Sequence, residues 1–107
     1  MTLADDVKAG RHLFWARRNI SSAQASIENQ LAKAKQNLIN EPEFALMFAN
    51  MTRGPEFFGG IDMDLEAFKR AFPGTPLIGF YGNSEIAPGF KAQALQRHHA
   101  TVSVLFA

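Results

Sequence analysis

The hydrophobic run from Phe44 to Asn50 (Phe-Ala-Leu-Met-Phe-Ala-Asn) restricts the fold of this chain more than any other feature of its sequence. Its length, and the helix-breaking residues Pro42 and Gly54 that bound it, favour a buried strand over a helix. Hydrophobic side chains point to both sides of such a strand, which is typical of a sheet that is covered on both faces. The sequence therefore predicts a central strand over residues 44–50.

A first helix is predicted before that strand, because hydrophobic residues recur there at intervals of three and four and form one stripe. These residues are Ala23, Ile27, Leu31, Ala34 and Leu38. Ser21, followed three residues later by Gln24, matches a capping box, in which side chains satisfy free N–H groups at the start of a helix. Pro42 disfavours helical geometry in the residue before it and so ends the helical region.

A second helix is predicted over residues 62–72. Asp62 is its N-cap, and Asp64 and Glu66 lie in the first turn, where the helix dipole favours acidic side chains. Its hydrophobic face is formed by Ile61, Leu65, Phe68 and Phe72. The Gly-Pro and Gly-Gly pairs that precede this helix predict a loop over residues 51–60.

Three further strands are predicted from short hydrophobic or alternating segments, at residues 12–17, 76–81 and 101–107. We expect a polar lead-in over residues 1–10. Residues 82–96 are expected to form an irregular connection, with a helical turn near residues 92–95.

The predicted order of elements, β-α-β-α-β-β, indicates an α+β fold. Two helices cover one face of a mixed four-stranded sheet in a two-layer sandwich, and the last two strands pair antiparallel. A Rossmann-like α/β fold with a parallel sheet is the alternative. Two helices leave the other face of the sheet bare, so we expect a missing domain or a second copy of the chain to cover it.

Length and composition exclude several classes of protein. The chain has 107 residues, enough for one domain, and a formal net charge of +1, which gives no reason to expect a nucleic-acid partner. It has no cysteine, so disulfides, thiolate nucleophiles and cysteine-ligated zinc are excluded. The sequence shows neither a signal peptide nor a hydrophobic run long enough to cross a membrane, and we expect a cytoplasmic protein.

Residues 76–88 (Pro-Leu-Ile-Gly-Phe-Tyr-Gly-Asn-Ser-Glu-Ile-Ala-Pro) resemble a motif of the FIST C-terminal domain. In that motif, a strand ending in Gly-Phe-Tyr leads into a Gly-Glu-Ile-x-Pro turn. Arg53-Gly54, followed by Phe58-Gly59, is similar to the family's Arg-Gly loop, and residues 95–101 are similar to the entry into its last strand. The resemblance covers residues 8–107.

This resemblance implies a sensory module of signal-transduction proteins that binds small ligands, with amino acids among the candidates, and that has no catalytic activity. It also implies an N-terminal FIST domain, which would cover the bare face of the sheet. The chain departs from the family at two positions. Ser84 stands where the motif has Gly, and Asn50 stands where the family often has Cys.

Two charged residues follow neighbouring predicted strands, Arg53 after the central strand and Glu85 after residues 76–81. Ligands often bind in the crevice beyond the carboxyl ends of strands. Glu85 is suited to bind a ligand amine and Arg53 to bind a ligand carboxylate, so that together they would complement a zwitterion. The structural alternative is that Glu85 fixes its turn and that Arg53 pairs with Glu85 or Glu56.

The full predicted ligand-binding set is Arg53, Gly54, Tyr81, Gly82, Glu85 and His98. His98 and His99 are adjacent and would point to opposite faces of a strand, so they predict no metal site. The sequence has no phosphate-binding loop, nucleophile elbow or metal motif, and we expect no cofactor and no enzyme activity. The alternative function is a structural or dimerisation module that binds no ligand.

Overall fold

The computed structural model describes residues 6–88, 94–97 and 99–107, with the backbone alone at Pro88 and at residues 94–97. Within these residues the chain forms two helices and five strands. They are α1 (Ile20–Asn37), β1 (Phe44–Asn50), α2 (Met63–Ala71), β2 (Leu77–Gly82), β3 (Glu85–Pro88), β4 (Ala94–Arg97) and β5 (Thr101–Phe106). The α+β class predicted from the sequence is confirmed.

Both helices begin at a side chain that satisfies a free backbone N–H group. Asn19, rather than the predicted Ser21, caps α1 by accepting a hydrogen bond from the N–H of Ser22 at 3.0 Å. Asp62 caps α2, as predicted, and accepts from the N–H of Leu65 at 3.1 Å. In the described part of the chain, neither helix combines the length and the hydrophobicity needed to cross a membrane.

The main sheet has three strands in the order β2-β1-β5. β1 is its central strand, as the sequence predicts, and it pairs parallel with β2 and antiparallel with β5. The predicted antiparallel pairing of the last two strands is wrong, because β2 and β5 lie on opposite sides of β1. β3 and β4 form a separate antiparallel pair, where the sequence predicts an irregular connection with a helical turn.

The strand predicted over residues 12–17 is also wrong. Residues 11–19 belong to no helix or strand, and Leu13, Phe14 and Trp15 are exposed. The alternation in this segment is real, but a strand needs a partner for its backbone hydrogen bonds, and among the described residues this segment has none. The predicted four-stranded sheet is therefore a three-stranded sheet and a hairpin.

The helices pack on one face of the main sheet. The buried core on this side comes from both helices and from alternate residues of β1, and its members are Ile27, Leu31, Ala45, Met47, Ala67, Phe68 and Phe72. Because side chains alternate along a strand, the residues of β1 between these point to the opposite side. We call the helix-covered side the helix face.

The other side of the main sheet, which we call the open face, carries hydrophobic residues from all three strands. The strand register brings them together: Phe44, Leu46, Phe48, Ile78, Phe80, Val102, Val104 and Phe106. Several are well exposed, with 70% of Ile78 and 65% of Phe80 accessible. Two pairs of rings are in contact, Phe44 with Phe106 and Phe48 with Phe80. This is the bare face that the sequence predicts.

Candidate functional site

Glu85, the first residue of β3, lies over the open face and is only 7% exposed. It lines a cavity of about 200 Å³, which we call the Glu85 cavity. The other lining residues come from the open face, from the β2–β3 turn and from β3: Phe48, Phe80, Gly82, Ser84, Ile86 and Val102. A carboxyl group is therefore held at the wall of a largely hydrophobic cavity.

One oxygen of the Glu85 carboxyl group is held by Asn50, the last residue of β1. Asn50 Nδ2 donates to Glu85 Oε2 at 3.4 Å and to the backbone oxygen of Asn83 at 2.7 Å. Its Oδ1 accepts from both the backbone N–H and the hydroxyl group of Thr52. The amide of Asn50 thus uses both of its N–H groups and has no donor left for a further contact.

The second oxygen, Glu85 Oε1, is buried and has no hydrogen-bond partner among the described residues. A buried polar atom without a partner costs about 1–3 kcal/mol, and more when the group is charged. Gly82 keeps the space beside this oxygen open, because a Cβ atom at Gly82 would lie 3.6 Å from Oε1. The cavity therefore presents one free acceptor that a donor from outside the described residues can satisfy.

Arg53 has a partner of its own. It follows β1 in a 3₁₀ turn (Met51–Arg53), and its Nε and Nη2 donate to the two carboxylate oxygens of Asp64 at 2.8 and 2.7 Å. Both residues are buried, and Nη2 also contacts the backbone oxygen of Ala23 in α1 at 3.3 Å. Thr101 donates a further hydrogen bond to Asp64. This bidentate pair joins α1, α2 and β5 around Arg53.

Arg53 and Glu85 therefore do not come together in the zwitterion-binding site that the sequence predicts. Arg53 lies on the helix face with Asp64, whereas Glu85 lies over the open face beside Phe48 and Phe80. Neither of the predicted ion-pair partners of Arg53 is used, because the acidic first turn of α2 supplies Asp64 instead. The side of a sheet that a residue faces after the strand ends depends on the turn, and spacing alone does not predict it.

Tyr81 also lies on the helix face. Its hydroxyl group donates to the Asp62 carboxylate that caps α2, and burial together with this contact raises the pKa of Tyr81. It lines a second cavity of about 230 Å³ with residues of β1 and α2, including Met47 and Leu65. Gly54 is close by, since a Cβ atom there would lie 3.8 Å from the Tyr81 ring. The structure thus pairs Gly54 with Tyr81 and Gly82 with Glu85.

His98 lies outside the described residues, but its neighbour His99 is placed. The Thr52 hydroxyl group donates to Asn50, so His99 Nδ1 must donate to Thr52 Oγ1, 2.8 Å away. In the neutral ring His99 Nε2 is then an acceptor, and it is buried with no partner among the described residues. Burial lowers the pKa of His99, and the guanidinium groups of Arg53 and Arg18 lower it further.

His99 and Arg53 also line a third cavity, of about 280 Å³, with the start of α1 and with Arg17 and Arg18. The ligand-binding set predicted from the sequence includes neither these two arginines nor His99. The predicted set of site residues is thus divided among separate cavities. Among the described residues that line these three cavities, Glu85 is the side chain that is nine-tenths buried and has a free polar atom.

A comparison with protein-family models matches residues 1–88 to the FIST C domain. The chain belongs to the FIST C domain family. FIST C domains are associated with sensing and signal transduction. No protein in a search of curated sequences matches the chain.

The FIST C match includes most of the Glu85 cavity. It covers the end of β1, β2 and the whole of β3, and of the described lining residues only Val102 comes from beyond residue 88. Asn50, which holds Glu85 in place, is also inside the matched region. Two signals mark Asn50 in the sequence: it stands where the family often has Cys, and it is an amide at the end of a buried hydrophobic strand.

Proposed function

We propose that this FIST C domain is the ligand-binding part of a sensory protein. Glu85 anchors a small ligand by accepting a hydrogen bond from a cationic group of that ligand. The observation that supports this is the free Oε1 atom of a buried carboxyl group at the wall of a hydrophobic cavity. A cation that reaches this oxygen both satisfies the acceptor and compensates a buried charge.

The amino-acid ligand predicted from the sequence remains a prediction. The ammonium group of an amino acid suits Glu85, but Arg53, the predicted partner of its carboxylate, is bound to Asp64 on the helix face. The absence of enzyme activity and the cytoplasmic location also remain predictions. We propose no catalytic step for the Glu85 cavity.

Thermal unfolding with a panel of amino acids and small amines tests the proposed function. A ligand at one hundred times its Kd stabilises the folded chain by about 2.7 kcal/mol, which raises the Tm of a domain of this size by several degrees. We expect at least one ligand to raise the Tm of the unmodified chain and not that of Glu85→Gln. Glu43→Gln, at an exposed position before β1, is the control for the same change of charge.

The result that would overturn the proposal is a panel in which no compound stabilises the unmodified chain. Equal stabilisation of the unmodified chain and Glu85→Gln would also overturn it, because the bound ligand would then not depend on the free carboxyl oxygen. Glu85→Gln keeps the size of the side chain, so a folded variant is expected, and circular dichroism verifies it.

A second candidate function is self-association through the open face. Its eight residues are all hydrophobic, and Ile78 and Phe80 are mostly exposed, which is unusual for a free surface. The eight residues carry no charge that would select a different partner, and we propose a second copy of the chain as their occupant. Analytical ultracentrifugation at micromolar concentrations should give a dimer, and Ile78→Lys should give a monomer. A monomeric unmodified chain would reject this candidate.

A further inference from the structure

We infer that the Glu85 cavity selects a small alkylammonium cation that carries no carboxylate, rather than a zwitterionic amino acid. This inference rests on the proposed function, in which Glu85 anchors the ligand. It follows from the polar groups that the cavity offers, from its walls and from its volume.

Among the described side chains that line the cavity, Glu85 supplies the buried acceptor without a partner. Glu85 Oε2 is already in contact with Asn50, and the Asn50 amide is fully used by Glu85, Asn83 and Thr52. Glu85 Oε1 is left without a partner. One unpaired acceptor on an acidic group matches one N–H donor on a cationic group, which forms the stronger, charge-assisted kind of hydrogen bond.

The walls favour a hydrocarbon body next to that cation. Phe48, Phe80, Ile86 and Val102 all line the cavity, and the rings of Phe48 and Phe80 lie edge to face with their centres 5.2 Å apart. Hydrophobic surface removed from water contributes about 25 cal/mol per Å². A ring face also attracts an ammonium group by a cation–π interaction.

The described lining of the same cavity gives a carboxylate no cationic partner. None of its described lining residues is basic. The buried guanidinium group of Arg53 is held by Asp64 on the opposite face of the sheet. The carboxylate of a bound amino acid would therefore be desolvated close to Glu85, a group of the same charge, and this disfavours the zwitterion.

The volume sets the size of the cation. A cavity of about 200 Å³ corresponds to roughly six or seven water-sized groups, since a water molecule takes about 30 Å³ of liquid volume. A short branched amine such as isobutylamine suits this space. Gly82 borders it, and an added methyl group there would stand 3.6 Å from Glu85 Oε1 and would narrow the cavity beside the acceptor.

Isothermal titration calorimetry of the full chain with three matched compounds tests the inference. Isobutylamine hydrochloride is valine without its carboxylate, and isobutanol has the same body with a hydroxyl group in place of the ammonium group. We expect isobutylamine to bind at least about tenfold more tightly than valine and isobutanol. The carboxylate of valine would be desolvated near Glu85, and the hydroxyl group of isobutanol can donate to Oε1 but carries no positive charge.

Three variants locate the binding site. Glu85→Gln should weaken isobutylamine at least about tenfold, whereas Glu43→Gln should leave its affinity unchanged. Gly82→Ala should weaken isobutylamine more than methylamine, since the added methyl group takes space and leaves the carboxyl group in place. Arg97 is the register partner of Glu85 in the β3–β4 ladder. Arg97→Gln removes a positive charge from the position opposite Glu85, and it should therefore keep or improve the affinity for the isobutylamine cation.

The outcomes separate this inference from the proposed function. Valine binding as tightly as isobutylamine, with loss in Glu85→Gln, would overturn the inference and support the proposed function. Unchanged isobutylamine binding in Glu85→Gln, or its loss in Arg97→Gln, would also overturn the inference. If none of the three compounds binds, the inference is wrong, and if the wider panel of amino acids and amines also fails, the proposed function is wrong with it.

Discussion

The buried pair of Arg53 and Asp64 should hold the helices to the sheet, and Asp64→Asn is the change that tests this most sharply. Asp64 is 1% exposed and accepts two hydrogen bonds from Arg53 and one from Thr101. Asparagine has nearly the same shape, but it removes the negative charge and turns one acceptor into a donor. The guanidinium group of Arg53 would then remain buried with no opposite charge beside it.

The expected loss follows from that geometry. Removing one partner of a buried ion pair costs about 3–5 kcal/mol, because the other charge stays desolvated. A domain of this length is stable by only about 5–15 kcal/mol in total. We therefore expect Asp64→Asn to remove a large share of the free energy of unfolding. Replacing both residues, in Arg53→Met with Asp64→Leu, should recover most of the loss, since no buried charge remains.

Urea unfolding followed by far-ultraviolet circular dichroism measures these free energies. Fluorescence is a poor probe here, because the single tryptophan, Trp15, is 83% exposed. Arg70→Met is the matched control, since Arg70 pairs with Glu28 at 3.0 Å on the exposed surface, where such pairs contribute at most about 1 kcal/mol. A stabilising role of the pair is refuted if Asp64→Asn costs no more than Arg70→Met. It is also refuted if the losses of the single variants Arg53→Met and Asp64→Leu add up to the loss of the double variant.

Three further predictions concern other contacts. Because the pKa of His99 is lowered from 6.5 in the folded chain, the unfolded chain binds the proton more readily, and stability should fall as the pH drops below about 6.5. His99→Asn tolerates the left-handed backbone (φ 61°) and should flatten a plot of Tm against pH below about pH 6.5. An unchanged slope would show that His99 is not the group responsible. Tyr81 is the single tyrosine, so ultraviolet absorbance should show it ionising above the usual pH of about 10. Asp62→Asn should lower that pH, and ordinary titration of Tyr81 in both proteins would count against its contact with Asp62. Gly79→Ala places a Cβ atom against the backbone oxygen of Met47 in β1 and should lower the Tm far more than Gly82→Ala. Equal Tm values would be evidence against this close approach of the strands.

Local signals in the sequence were sufficient for the helices and for the strands of the main sheet. The stripe from Ala23 to Leu38 predicts α1, the Asp62 cap predicts the start of α2, and the hydrophobic run at residues 44–50 predicts the central strand. These predictions succeed because caps and periodicity depend on neighbouring residues. Pairing depends on residues far apart in the chain, and for that reason the partner of β5 and the fate of residues 12–17 were predicted wrongly.

The candidate site was predicted in part. The sequence predicts Glu85 in a turn after the strand over residues 76–81, facing a crevice; in the structure it is the first residue of β3 and lines the Glu85 cavity. The separation of Arg53 from Glu85 could not be predicted, since a 3₁₀ turn after β1 carries Arg53 to the helix face, where Asp64 holds it. The role of Asn50 was missed for a related reason, because its contact depends on how the β2–β3 turn folds back over β1.

A crystal structure of the chain grown with isobutylamine hydrochloride would show whether Glu85 Oε1 binds an ammonium group in the Glu85 cavity. We predict that the ammonium nitrogen lies about 2.7–2.9 Å from Glu85 Oε1, with the branched carbon chain against the rings of Phe48 and Phe80. An amine bound on the helix face beside Arg53 or Tyr81, or a Glu85 cavity in which Oε1 is satisfied by the protein itself and the amine is absent, would contradict it.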